Sequence, residues 1–219
     1  MALPGRKIAG TVVAGFGSLL PLLFSCQLVA HIPALLTAAT LTVALVYLFR
    51  INDLTTAAPE FAITVSGLLY VPLLLGHLVL TRELLHGVQW VFLLLLLVMS
   101  GDTAAYYVGR SLGRRKLYPL VSPNKSVEGA VGGLAGSLLG AFIARLTFFP
   151  ELTVGDSLLT ALFIGPLGQM GDLFESLLKR SFGVKDSGTI IPGHGGILDR
   201  LDSILFAAPA LYYYARYLF

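Results

Sequence analysis

Charge is scarce in this chain: only 12% of its 219 residues are charged, about half the share usual in a soluble domain. With 56% of the residues hydrophobic and a mean hydropathy of +0.82, that scarcity excludes an ordinary soluble domain and points to an integral membrane protein. The positive surplus is small as well. A net charge of +3, behind a pI near 9.1, is too little to suggest nucleic acid as a partner. Cysteine occurs once, as Cys26 inside an apolar run, so no disulfide framework can form within the chain. Its plain reading is a small core residue. His194 has no His or Cys partner at ligand spacing, which argues against a zinc site. No short repeat or low-complexity tract is present.

Apolar sequence is abundant. A span needs about 20 mostly apolar residues, and seven segments qualify: 8–29, 32–50, 61–80, 88–108, 126–146, 156–178 and 197–218. Arg6 and Lys7 precede the first, as in a signal peptide. Its apolar run is too long for that and no small-x-small cleavage site follows, so it reads as a span. The fold class expected is all-α, a polytopic membrane helical bundle of about seven transmembrane helices. Pro21 and Pro33 blur the boundaries in the first 60 residues.

The cations orient these spans. With the N-terminus cytoplasmic, the inner segments hold Arg6, Lys7, Arg50, Arg110, Arg114, Arg115, Lys116, Lys125, Lys179, Arg180, Lys185 and Arg200. The outer side holds Arg82, Arg145 and Arg216. Twelve against three, out of 15 Lys and Arg in all, follows the positive-inside rule. Two polar loops, 109–125 and 179–196, then face the cytoplasm together. The Gly-rich run 129–140 places Gly129/Gly133, Gly132/Gly136 and Gly136/Gly140 four apart. That spacing suits close helix contact better than a phosphate loop.

The charges that exist are concentrated between Gly171 and Ser203. This stretch holds Asp172, Glu175, Asp186, Asp199 and Asp202, with Lys179, Arg180, Lys185, Arg200 and His194. Such a cluster at the edge of a bilayer marks a functional site. On a helix, Asp172, Glu175, Ser176 and Lys179 fall on one face. Two carboxylates and an ammonium there can hold a divalent cation beside an anionic group. The next helix places Asp199, Asp202 and Ser203 on one face in the same way. Two acidic stripes joined by a basic, Gly-rich loop make an oxygen-ligand cage of the kind Mg²⁺ uses together with substrate phosphates. The turn Pro192-Gly193-His194-Gly195-Gly196 precedes a helix N-terminus, which favours phosphate. His194 alone is open between metal ligand, acid/base group and loop donor. A set of surface salt bridges would not account for nine charges together with this turn.

A second constellation lies upstream. Asp102 sits inside a span, with Tyr106 and Arg110 at i+4 and i+8, and a carboxylate there needs a partner. Arg114-Arg115-Lys116 reads equally as an anionic-headgroup site or an ordinary inner loop. In Ser122-Pro123-Asn124-Lys125-Ser126-Val127-Glu128, Ser126 reads equally as a helix cap or a phosphate contact. His31, His77, His86, Trp90 and Tyr212–Tyr214 show no partners at catalytic spacing, and the aromatics read as interface anchors.

From the residues alone, this is a multi-span enzyme with a metal- and phosphate-handling site at the membrane edge. The run Ser176-Leu177-Leu178-Lys179-Arg180, then Lys185-Asp186, then Pro192-Gly193-His194-Gly195-Gly196-Ile197-Leu198-Asp199-Arg200-Leu201-Asp202 closely resembles the signature of the phosphatidate cytidylyltransferase (CDP-diacylglycerol synthase) family. The segments GQMGDLFES, DTAAYYVGR and SPNKSVEG are similar to it as well. The resemblance runs from about Gly67 to the C-terminus. Family members are usually longer, with extra N-terminal spans, so residues 1–60 read as divergent or shortened membrane spans and 61–219 as the cytidylyltransferase domain.

The resemblance implies transfer of the cytidylyl group of CTP to phosphatidate with Mg²⁺, a second cation being allowed, and release of pyrophosphate. The nucleophile is then the lipid's own phosphate, and no Ser or Cys with a base partner is apparent. It further implies Asp172, Asp199 and Asp202 as metal ligands with Glu175 assisting. Lys179, Arg180, Lys185 and Arg200 would neutralise phosphates, with Asp186 and His194 beside them. Ser176, Gly193, Gly195 and Gly196 would contact substrate, with Asp102, Ser122, Lys125 and Glu128 closing the site. A bacterial inner membrane, a cytoplasm-facing site, lipid contact, no nucleic acid and an allowed homodimer complete the expectation. A CTP-dependent polyprenol or phytol kinase is the alternative within enzymes, against which the HGGILDRLD run argues. A cation transporter is the alternative outside them, and the loop cations suit phosphate better than a cation path.

Overall fold

The computed structural model describes residues 4–50, 53–188 and 195–219. It is helical throughout apart from one small hairpin, and the chain divides into two compact units, Met1–Glu83 and Leu84–Phe219.

In the first unit, α1 (Pro4–Ser25) packs on α2 (Ile32–Arg50), α3 (Leu54–Leu68) and α4 (Leu74–Arg82). Its apolar contacts centre on Leu20, Phe24, Ile32, Ala39 and Leu68. Pro21 lies inside α1, and Pro33 falls in the first turn of α2, where its missing N–H costs nothing. The third predicted segment starts earlier than 61. The Asp53 side chain accepts from Thr55 N at 2.9 Å, capping α3 ahead of the apolar run. A single π turn, Leu69–Leu73, joins α3 to α4 and contains Pro72. A proline removes one backbone donor, and a π turn absorbs that defect without ending the helix.

The second unit holds α5 (Gly87–Leu112), β1 (Lys116–Tyr118), β2 (Ser122–Ser126), α6 (Val127–Thr147), α7 (Val154–Ser181) and α8 (Leu198–Tyr217). The glycines of α6 let α5 approach closely, as their spacing predicts. A Cβ at Gly136 would stand 2.5 Å from the Ala104 Cβ and from the Ser100 carbonyl oxygen. Ser126 caps α6 by accepting from Gly129 N at 3.1 Å. Thr153 and Asp156 form a capping box on α7, and Asp156 also accepts from the Tyr214 hydroxyl of α8 at 2.5 Å. Trp90 is fully buried, with Phe149 and Phe219 edge-on at 4.8 and 4.9 Å. Trp90 and Tyr214 are therefore core residues, not the interface anchors expected of them; their polar tips are outweighed by the aromatic surface they bury.

Among the described residues, five segments are long and apolar enough to cross a membrane: Lys7–Ser25, Val29–Arg50, Leu54–Arg82, Gly87–Leu112 and Val127–Thr147. α7 and α8 coincide with the other two predicted spans and are more polar, because they carry the acidic stripes. The outward faces are rich in leucine and phenylalanine, such as Leu139, Leu146 and Phe163, as a lipid-facing surface requires. The chain is an all-α polytopic membrane protein.

Candidate active site

The charged ends of α5, α7 and α8 and the hairpin enclose a cavity of about 650 Å³, a size suited to a small-molecule ligand. Helix periodicity accounts for each wall. Asp102, Ala105, Tyr106, Gly109 and Arg110 recur at i, i+3, i+4, i+7 and i+8 on α5, and all line the cavity. Gln169 and Asp172 come from α7, and Asp199, Asp202 and Ser203 from α8. The hairpin adds Ser122, Asn124, Lys125 and Ser126. Four carboxylates against two cations, Arg110 and Lys125, make the wall acidic.

Those carboxylates fall into two groups. Lys125 reaches across from the hairpin to Asp172 Oδ2 at 2.6 Å. Asp102 and Asp202 each lie within electrostatic range of Asp172, like charge against like. Asp199, the fourth, is already engaged by an ammonium. Lys179 pairs with Asp199 Oδ1 at 2.7 Å and with Glu175 one turn before it. Glu175 is fully buried, and its Oε1 makes no hydrogen bond among the described residues. Burial alone would lower the pKa of the Lys179 ammonium. Hydrogen bonds to Asp199 and Glu175 outweigh it, and the group sits above the ordinary lysine value.

Asp199 also gathers the loop between α7 and α8. Its Oδ2 accepts from Ser187 N at 2.9 Å, Ser187 Oγ at 2.8 Å and Gly196 N at 2.7 Å. Gly195, at φ +79°, carries the chain into this turn, a conformation that favours glycine. Gly193 and His194 lie outside the described residues. Arg180, Lys185, Asp186 and Arg200 are exposed and are not among the cavity-lining residues. Ser176 stands behind the wall, with its hydroxyl 3.5 Å from Asp172 Oδ1. Glu128 faces the hairpin and accepts from Arg114 N at 3.0 Å and Arg115 N at 3.2 Å. Among the described residues, no three His, Cys, Asp or Glu side chains are gathered closely enough to hold a metal ion.

Sequence reasoning gave no role to Gln169 and Asn124, whereas Ser203 lines the wall on the stripe it shares with Asp199 and Asp202. Gln169 Nε2 donates to the Ala130 carbonyl at 3.2 Å, which ties α7 to α6 at the cavity. Its position three residues before Asp172 was the available signal. Arg110, also left without a role, donates to the Tyr106 hydroxyl at 3.1 Å at the cavity wall.

The chain is 50% identical over 128 residues to the phosphatidate cytidylyltransferase of Bacillus subtilis (strain 168), covering 58% of this chain and 48% of that protein. It is 43% identical over 152 residues to the phosphatidate cytidylyltransferase of Staphylococcus saprophyticus, covering 69% and 58%. It is 44% identical over 137 residues to the uncharacterized protein YnbB of Escherichia coli (strain K12), covering 63% and 46%. The chain thus spans about half the length of the curated relatives it matches. A profile of the Cytidylyltransferase family matches residues 4–218, so the likeness is not confined to the part after Gly67 and takes in the N-terminal helices too. With nearly its whole length matched, the chain belongs to the cytidylyltransferase family.

Proposed function

We propose that this protein transfers the cytidylyl group of CTP to phosphatidate, forming CDP-diacylglycerol and pyrophosphate. The observation that carries this reading is a cavity in which the 109–125 loop meets the acidic stripes of α7 and α8, with Lys125 and Asp172 paired across it. Chemically, a phosphate oxygen of the lipid attacks the α-phosphorus of CTP. A P–O bond forms there as the bond to the bridging oxygen breaks, and that oxygen leaves with pyrophosphate. No protein nucleophile is needed, so the chain's work is positioning and charge neutralisation. Arg110 and Lys125 face the cavity and are the cations placed to meet substrate phosphates. Lys179 supports the wall by holding Asp199 in place.

An acidic wall would repel a triphosphate unless a cation intervenes, and this supports dependence on Mg²⁺. Mg²⁺ needs only one or two carboxylates when substrate phosphates complete its shell. Asp172 and Asp202 would hold it, with Asp102 beside them, and it would supply charge neutralisation of the triphosphate. Asp199 and Glu175 are engaged by Lys179 and serve the wall before the metal. We place the N-terminus and both polar loops on the cytoplasmic side of a bacterial inner membrane, on the positive-inside count. Incubation of purified protein with labelled CTP, Mg²⁺ and phosphatidate should give labelled lipid and pyrophosphate. Release of CDP would instead identify a phosphoryl-transferring kinase and refute the proposal.

A further inference from the structure

The hairpin between α5 and α6 has a face that the cavity does not use. Leu117 points inward and lines the cavity, while Lys116 and Tyr118, its neighbours on β1, point outward, as strand alternation requires. The tip is a turn over Tyr118-Pro119-Leu120-Val121, closed by Val121 N donating to the Tyr118 carbonyl at 3.2 Å. Proline at its second position suits such a turn. Val121 is buried and anchors the tip, yet Leu120 is 81% exposed and Tyr118 48%. These are apolar groups in a polar loop, outside the apolar spans. Exposed Arg114, Arg115 and Lys116 stand at the base. Glu128 accepts the backbone N–H groups of Arg114 and Arg115, so their side chains project from a fixed base.

Position supplies the partner. Both helices that flank the hairpin are membrane spans, ending at Leu112 and beginning at Val127. A strand of three residues reaches only about 10 Å. The tip therefore stays close to the headgroup layer, which is roughly 5–8 Å deep on each side of the hydrocarbon core. A leucine and a tyrosine at the tip with three cations behind them match the layering of an anionic leaflet, apolar within and negative at the surface.

We propose that the hairpin is a membrane-surface wedge. Tyr118 and Leu120 insert at headgroup depth, and Arg114, Arg115 and Lys116 hold the tip against anionic lipid. Because Leu117 lines the cavity on the opposite side of the same strand, the wedge sets the cavity beside the lipid layer from which an anionic lipid substrate would enter. The choice of leaflet rests on the topology given under Proposed function; the wedge itself does not depend on the reaction.

The single native cysteine makes a direct test simple. A Cys26→Ser, Leu120→Cys protein is labelled with an environment-sensitive fluorophore and reconstituted into nanodiscs. One set contains phosphatidylcholine alone, and the other about one-third phosphatidylglycerol. Expected are a blue-shifted emission quenched by brominated acyl chains, and quenching that strengthens with phosphatidylglycerol and weakens as salt rises. Replacing Arg114, Arg115 and Lys116 by glutamine should abolish most of the phosphatidylglycerol dependence of the quenching, since each cation removed lowers the insertion equilibrium by roughly fivefold. A label that emits as in water in both lipids overturns the proposal, and quenching indifferent to lipid charge overturns its anionic part. A blue shift that tracks protein concentration in detergent would put a second copy on the hairpin and also overturn it. An inactive protein with an inserted label would refute the proposed reaction and leave the wedge standing; an active protein with a water-exposed label would do the reverse.

Discussion

Replacing Lys179 by methionine removes the ammonium that ties α7 to Asp199 of α8. The lysine side chain is 17% exposed, and its partners Glu175 and Asp199 are 1% and 11% exposed. Methionine keeps an apolar stem of similar length but leaves two carboxylates near each other without their cation. Breaking a buried ion pair from one side costs about 3–5 kcal/mol, and solvent reaches this site too little to recover much of it. Asp199 retains its donors from Ser187 and Gly196, whereas Glu175 retains none among the described residues, so most of the loss falls on Glu175. Lys179→Met combined with Glu175→Gln should therefore be more stable than Lys179→Met alone, with a coupling of about 1–3 kcal/mol. Unfolding by SDS in mixed micelles, followed by the emission of the single tryptophan, reads this directly, since Trp90 lies in the core of the same unit. A Lys179→Met protein that unfolds at the wild-type SDS fraction, or a double variant no more stable than the single one, would refute the reasoning.

Two further outcomes follow from the same geometry. Asp202→Asn should abolish turnover and leave hydrogen exchange at the Ser187 and Gly196 amides as in wild type, whereas Asp199→Asn should lose turnover and speed exchange at both; equal exchange in the two variants would contradict the role of Asp199 as their acceptor. In a Cys26→Ser background, Ser111→Cys and Lys185→Cys should both react with a membrane-impermeant thiol reagent from the cytoplasmic side only, and labelling from opposite sides would rule out the shared cytoplasmic placement of the two polar loops.

Segments whose pattern is local were legible in the sequence. The second predicted span, 32–50, coincides with α2, and 156–178 falls within α7. The third began too late because a cap, Asp53, and the polar start Thr55-Thr56 precede its apolar run, and hydropathy does not register caps. The hairpin was not legible. Its strands have three and five residues, too few for alternation to stand out, and its base is fixed by Glu128 from the following helix. Helical spacing placed Asp172, Glu175 and Lys179 on one stripe, but it could not say which acid each cation would meet. Lys179 turns to Asp199 on α8 and Asp172 is left to Lys125 on the hairpin. Both pairings are tertiary and have no signature along the chain.

That division gives the acids different chemistry despite their similar sequence setting. A carboxylate that accepts from an ammonium at 2.7 Å and from three further donors, as Asp199 does, has its charge spread over fixed partners and offers little to an incoming cation. Asp102 and Asp202 face the opposite situation, since Asp172 lies close to both and repels them. A divalent cation bound as proposed would relieve that repulsion, so the favourable electrostatic change on binding would be concentrated on this side of the wall. Lys125 is the cation paired with Asp172 until then. A polyanion arriving with the cation would compete for Lys125, and its gain would be greatest once the cation has taken over Asp172. Metal and triphosphate should therefore bind cooperatively at this wall, each raising the affinity for the other by the same factor.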